Sequence, residues 1–258
     1  MKNSLFIIKS LVIVFSLVLA SCGGGGDSDS AGTPPPASKT TISGTAAAGA
    51  PIIGQVTVKG ALGNTRSALI EANGNYNVDV SGLTAPYRLR AEGTVGGRLY
   101  RLHSYAETAD LGGNVNITPF TDLIVANAAQ QIAENFFDSS SSTSLSPTAL
   151  ETQKTALKTK LQNVFSALGV SSSIDLLRTT FSADHSGLDA ALDLVQIEVD
   201  TGTNIATIRN LIENTSISDN LLDQEDNTET LEVTDGTKLT TSVSNTQAIT
   251  NLFSSFAS

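Results

Sequence analysis

Asn114-Val115-Asn116-Ile117-Thr118-Pro119-Phe120-Thr121-Asp122-Leu123-Ile124 is where the chain changes its period. Up to Ile117, apolar and polar residues alternate, as on a strand with one face in a core. From Phe120 the apolar residues recur every three or four positions, as on a helix. Thr118 suits the N-cap and Pro119 the first helical position. Phe120, Leu123, Ile124, Ala128, Ile132 and Phe136 then form one apolar stripe. The sequence therefore predicts an α+β fold, with β structure before this point and a mainly helical region after it.

Towards the N-terminus, residues 40–117 hold about seven short strands. These are Thr41 to Thr45, Gln55 to Lys59, Ser67 to Glu71, Tyr76 to Val80, Tyr87 to Ala91, Leu99 to Tyr105 and Asn114 to Ile117, of which Gln55 to Lys59 and Tyr87 to Ala91 alternate with period two. Asn73-Gly74 supplies the positive φ of a tight turn, so the runs on either side are expected to pair as a hairpin. Short strands with regular turn signals suggest an antiparallel β-sandwich. His103 shares a strand face with Arg101 and Tyr105 and is expected to be partly exposed.

Towards the C-terminus, residues 118–212 read as helices with one β-hairpin. Ser146-Pro147 repeats the cap-and-proline start, Leu150, Leu157, Leu161, Val164, Phe165 and Leu168 form the stripe, and Gly169 ends it. A short helix is expected around Ser173 to Arg178, and another over Gly187 to Leu194. Val195 to Val199 alternates and faces Asn204 to Arg209 across a turn. Residues 213–244 are acidic and polar, and are expected to form a loop or a disordered segment. In residues 245–258, Ile249, Leu252, Phe253 and Phe256 stand at i, i+3, i+4 and i+7, an amphipathic helix. Its apolar face either docks on the helices at 119–137 and 147–168, the arrangement expected here, or binds another protein.

The first residues carry a different signal. Lys2 is followed by an apolar stretch broken at Lys9, Ser10 and Ser16, whose uncharged part from Leu11 to Ala20 is about half the length that crosses a membrane. A basic start, a short apolar core and small residues describe a signal peptide, residues 1–21. Gly23 to Ser38 is rich in glycine and serine and contains Pro34-Pro35-Pro36, so residues 22–39 read as a flexible tether. Leu19-Ala20-Ser21-Cys22 resembles the lipobox of bacterial lipoproteins. That resemblance implies cleavage before Cys22 and lipidation of Cys22, and more than one acyl chain anchors a protein stably. Gly23 stands where an aspartate would signal inner-membrane retention, which leans the expectation towards the outer membrane.

Removing residues 1–21, with Lys2, Lys9 and no acid, takes the net charge from −10 to −12. Such a chain is a poor match for nucleic acid, whose affinity comes from lysine and arginine on phosphates. Cys22 is the only cysteine, so neither a disulfide within the chain nor a cysteine metal site is available. His103 and His185 are the only histidines, too few for most catalytic zinc sites. No phosphate-binding loop and no dinucleotide fingerprint is present.

Chemistry concentrates in Asp184-His185-Ser186-Gly187-Leu188-Asp189. A hydrolase could pair Ser186 or another serine with His185 and an acid, but no Gly-x-Ser-x-Gly elbow supports it. Asp184, Asp189 and Asp193 are the candidate oxygen ligands for calcium, and Asp189 and Asp193 share a helix face. They do not follow the EF-hand pattern. Capping and a solvated helix face are the reading preferred for them, with no metal or cofactor expected.

Ser43-Gly44-Thr45, Gly49-Ala50-Pro51, the Val56-Thr57-Val58 strand and the Gly74-x-Tyr76 turn resemble a carboxypeptidase-regulatory-like (transthyretin-like) β-sandwich. The stretch from Ala85-Pro86-Tyr87 to Asp122-Leu123 looks like its continuation in a group of uncharacterised proteobacterial lipoproteins. Phe181-Ser182-Ala183-Asp184, Gly187-Leu188-Asp189 and Leu192-Asp193 are similar to that group as well. The resemblance covers residues 40–200, and it implies a fold more than an activity. The expectation is an envelope lipoprotein, anchored through Cys22, that binds a protein or glycan or serves in assembly without catalysis. The rival expectation is an envelope hydrolase using His185 with nearby acids.

Overall fold

The structure, a computed structural model, describes residues 39–140, 144–223 and 229–256, with side chains of the last helix up to Leu252. The expected signal peptide, Cys22 and all of the tether but its last residue lie outside the described residues. Those described belong to one compact unit, Ser38–Ser258. Its fold is α+β. Six strands come first: β1 (Thr41–Thr45), β2 (Ile53–Lys59), β3 (Thr65–Leu69), β4 (Asn75–Asp79), β5 (Tyr87–Val95) and β6 (Arg98–Ala106). They form two antiparallel sheets, β1-β4 and β3-β2-β5-β6. Ile42, Tyr76 and Val78 of the first sheet share a buried core with Val56, Val58, Leu89, Ala91 and Leu102 of the second. The alternation read in the sequence is the alternation between this core and the opposite face of each sheet.

Two details differ from the expectation. The runs flanking Asn73-Gly74 do not form a ladder. Glu71 N–H donates to Asn75 O, closing the turn, but β3 pairs with β2 while β4 pairs with β1. The turn thus carries the chain from one sheet to the other, as a sandwich corner does. The seventh strand is reduced to two parallel bridges, Ser43 with Asn114 and Ala46 with Ile117. Gly44 makes them possible, because a Cβ there would lie 1.8 Å from Val115 O. The buried Tyr76 hydroxyl donates to the same carbonyl.

The helical region follows as α1 (Pro119–Ala129), α2 (Ala133–Asp138), α3 (Pro147–Lys160), α4 (Gln162–Ala167) and α5 (Gly187–Leu194). Thr118 caps α1: its hydroxyl accepts from Thr121 N–H at 3.2 Å, and Thr121 Oγ1 accepts from Thr118 N–H at 2.9 Å. Thr121 Oγ1 donates to His103 O, tying the cap to β6. The stripe expected to run to Phe136 breaks at Gln130, whose φ of 50° ends α1. The second stripe breaks at Leu161, between α3 and α4, and Gly169 follows at φ 67°. Ser173 to Arg178 is a turn rather than a helix. Asp175 Oδ1 accepts from Leu177 and Arg178 N–H, and Asn116 takes the carbonyls of Leu176 and Leu177, so helical partners are replaced locally.

Residues 195–220 form a three-stranded antiparallel meander, β7 (Val195–Asp200), β8 (Ile205–Asn210) and β9 (Thr215–Asn220). The expected hairpin is its first two strands. The third falls in the segment expected to be a loop or disordered, and corrects that expectation. Ile217 is the only large apolar residue of β9, and it lines up across the sheet with Ile208 and Ile197. Asp219 of β9 is turned inwards, where it accepts from Asn127 at 2.7 Å and lies 3.6 Å from Lys160 Nζ. A buried acid held by partners made the strand look like solvated chain. The same segment contains the fully buried Leu231, and Glu213 accepts from the N–H groups of Thr234 and Asp235.

The last helix is also longer than its apolar face implied. α6 runs Gly236–Phe256, and its first half carries the docking, with Leu239 and Val243 buried in the helical core. Ile249 and Leu252 are each 55% exposed, so the docking expected of that face does not occur at these two positions. The side chains of Phe253 and Phe256 lie outside the described residues.

The four-stranded sheet has a core on each side. Leu102 and Ala106 of β6 face the sandwich core, while Tyr105 between them joins the helical core. On this second face the sheet is cationic and α2 lies across it. Lys59 Nζ donates to the carbonyls of Phe137, Asp138 and Ser139 at 2.9–3.3 Å. Arg88 donates to Phe136 O at 2.7 Å, Ser139 O at 3.0 Å and Ser139 Oγ at 2.8 Å. Two cations therefore satisfy the open carbonyls at the C-terminal end of a six-residue helix, where the helix dipole is negative.

Candidate functional site

Two histidines stand in two separate charged clusters. His103, expected to be partly exposed, is 2% exposed, because α2 covers the sheet face on which it sits. Its Nδ1 lies 2.7 Å from Asp122 Oδ1, and its Nε2 2.8 Å from Glu134 Oε2. Asp122 Oδ1 also accepts from His103 N–H at 2.9 Å. Glu134 reaches Arg90 at 3.1 Å and Arg101 at 3.3 Å, and the Phe137 ring lies 5.7 Å from the imidazole. Burial pushes the His103 pKa down, but Asp122 and Glu134 outweigh it and the net shift is upwards. The adjoining His103 imidazole is the largest influence on Glu134, whose pKa is lowered. This cluster locks α1 and α2 to the sheet. Sequence reasoning missed it, since nothing local in Arg101-Leu102-His103 shows that a helix 30 residues later will cover the ring.

His185 belongs to the second cluster, at the start of α5, among the residues singled out from the sequence. Its φ is 60°, a left-handed conformation that turns the chain into the helix. Its N–H donates to Asp189 Oδ2 at 2.8 Å, and its Nδ1 lies 2.9 Å from Asp193 Oδ2. Asp189 and Asp193 come together as expected from their spacing of four on one helix face. One ligand atom from each of His185, Asp189 and Asp193 lies within 4.8 Å of the other two. Of the three aspartates considered as candidate oxygen ligands, one does not join the others. Asp184 turns away, accepting from Ser186 N–H at 3.0 Å and Ser186 Oγ at 2.6 Å, and the imidazole of His185 stands with the two remaining acids.

Asp189 is fully buried, and its Oδ1 has no hydrogen-bond partner. Burial pushes its pKa up to about 6, with the nearby Asp193 adding to this and the His185 N–H opposing it. The Asp193 pKa is raised too, mainly by burial, against the hydrogen bond from His185. Among the described residues neither aspartate pairs with a lysine or arginine, and the imidazole of His185 is the side chain that meets Asp193. Gln247 of α6 closes over the loop by donating to His185 O at 2.7 Å. From the sandwich side, Gly49 approaches Asp193 so closely that a Cβ would lie 2.6 Å from Oδ1. Asp193 also lines a cleft of ≈ 330 Å³ together with Gly49, Arg98, Tyr100 and Pro119.

The hydroxyl of Ser186 is committed to Asp184 rather than to His185. The adjacent Ser186 and His185 are therefore not arranged as nucleophile and base. Ile249 and Leu252 present the exposed apolar positions of α6, beyond Gln247. No protein-family model matches the chain, and neither a curated protein nor a solved structure matches it.

Proposed function

We propose that this protein is an envelope lipoprotein, held to a membrane through lipid on Cys22, that acts as a binding or assembly module rather than as an enzyme. The observation that carries the reading is Leu19-Ala20-Ser21-Cys22 behind a short basic and apolar leader, followed by a glycine-, serine- and proline-rich stretch. The architecture is compatible with it. Among the described residues no helix is long and apolar enough to cross a membrane, and a folded unit begins directly after the proposed tether. The transthyretin-like kinship of residues 40–117 belongs to the same proposal, on the strength of the turn and packing residues quoted for it.

The non-catalytic reading draws on the commitment of Ser186 to Asp184 and of the His185 ring to Asp193. A protein or glycan of the envelope is the proposed partner, and the outer membrane the proposed location. The test is metabolic labelling with a palmitate analogue. The native chain should carry label and sediment with membranes, while Cys22→Ala should lose both. Label retained by Cys22→Ala would remove the basis of the reading.

A further inference from the structure

We propose that His185, Asp189 and Asp193 form a binding site for one divalent first-row transition cation of the zinc or manganese class. It would be held by a single imidazole nitrogen and one oxygen from each carboxylate. The three donors converge within 4.8 Å. In a tetrahedral zinc site neighbouring donors are about 3.3 Å apart, so side-chain shifts of roughly 1 Å close the cluster around an ion. The backbone needs no rearrangement, because His185 is already set at its left-handed φ and latched by Gln247.

The observation that points to a ligand is the orphan oxygen of Asp189. A carboxylate with no exposure normally has both oxygens satisfied, and an unpaired one is costly. Here Oδ2 is used by His185 N–H while Oδ1 has no partner. No lysine or arginine among the described residues forms an ion pair with either aspartate, whereas a dication would neutralise both at once. The donor set also selects the ion. Calcium prefers six to eight oxygen ligands and has no use for an imidazole. One nitrogen with two carboxylate oxygens suits zinc or manganese, and zinc binds such sets more tightly than manganese.

The test uses the untagged full chain carrying Cys22→Ala, which removes the only thiol, after chelator treatment. Titration with zinc chloride, followed by calorimetry and by metal content after gel filtration, should give one equivalent bound and a raised melting temperature. Manganese should bind more weakly, and calcium should leave the melting temperature unchanged. Asp189→Asn and His185→Asn should each weaken zinc binding by roughly 100-fold or more, since even outer-shell losses cost 10–100-fold. Asparagine tolerates the left-handed backbone at 185, so that variant keeps the test sharp if Asp189→Asn disturbs folding. A chain that takes up neither zinc nor manganese would overturn the proposal. So would one equivalent of zinc retained at unchanged affinity by folded His185→Asn. Both outcomes leave the lipid-anchor reading untouched.

Discussion

Glu134 Oε2 on α2 lies 2.8 Å from Nε2 of the buried His103 ring on β6, so the helix that covers the histidine also supplies one of its counter-charges. Asp122 of α1 supplies the other, and Arg90 and Arg101 flank Glu134 on the sheet side. The sheet, α1 and α2 meet at one charged point between two apolar cores.

This clamp makes stability depend on pH with a definite sign. The folded pKa of His103 is raised above the ordinary 6.5, so its contribution is complete below about pH 6.5 and is lost as pH rises through the folded value. The Glu134 pKa is lowered from 4.5, so its contribution is complete above about pH 4.5 and is lost as pH falls through the folded value. His103→Gln should cost about 3 kcal/mol near pH 6, where it leaves two acids facing no imidazolium, and clearly less near pH 9. Urea unfolding of both proteins across this range measures the difference. A pH-independent difference would mean that the ring acts by packing alone.

Arg88 should be hard to replace. Arg88→Met keeps apolar bulk but strips the carbonyls of Phe136 and Ser139 of a charged donor in a buried place. A loss of about 3 kcal/mol is expected, and Arg88→Lys should recover only part of it, because an ammonium lacks the planar fork. Chemical denaturation with far-UV circular dichroism tests both variants.

Much of the fold was legible because its signals are local. Thr118-Pro119 announced α1, Ser146-Pro147 announced α3, and short runs bounded by turn signals marked six strands. What escaped depends on distant partners. The polar strand β9 exists because Asp219 meets Asn127 and Lys160. Residues 173–178 stay non-helical because Asn116, from the end of the sandwich, claims their carbonyls. The Asn73-Gly74 turn was readable, but not the sheet that each arm joins. At the site, Asp189 and Asp193 were brought together by helical spacing alone. That His185 would replace Asp184 beside them follows from a backbone angle that no pattern displays.

The close approach of Gly44 to Val115 gives a sharper test of the sandwich edge. Gly44→Ala would force a Cβ against the Val115 carbonyl, which accepts from Tyr76 and lies between the two parallel bridges. A loss of about 2–3 kcal/mol or more is expected. Gly63→Ala, at an open turn with φ 85° and nothing near the added carbon, should cost only about 1 kcal/mol, from backbone strain. Comparison of melting temperatures separates crowding from conformation.

The two halves of α6 should behave differently. Leu239→Ala removes a fully buried side chain and should cost about 2–4 kcal/mol. Ile249→Ser and Leu252→Ser change side chains that are more than half exposed and should shift stability by less than about 0.5 kcal/mol. If the exposed pair serves a partner, the alternative that the sequence left open for this face, the same two variants should lose capture of an envelope protein by the immobilised chain while their melting curves stay the same.

The central claim is an anchor at Cys22, and mass spectrometry of the N-terminal peptide from the membrane-extracted protein tests it most directly. The account predicts a chain that begins at Cys22, with residues 1–21 removed and the cysteine carrying diacylglyceryl, with or without a further acyl chain on its amino group. A mature chain that begins at any other residue, or an unmodified Cys22, would contradict it.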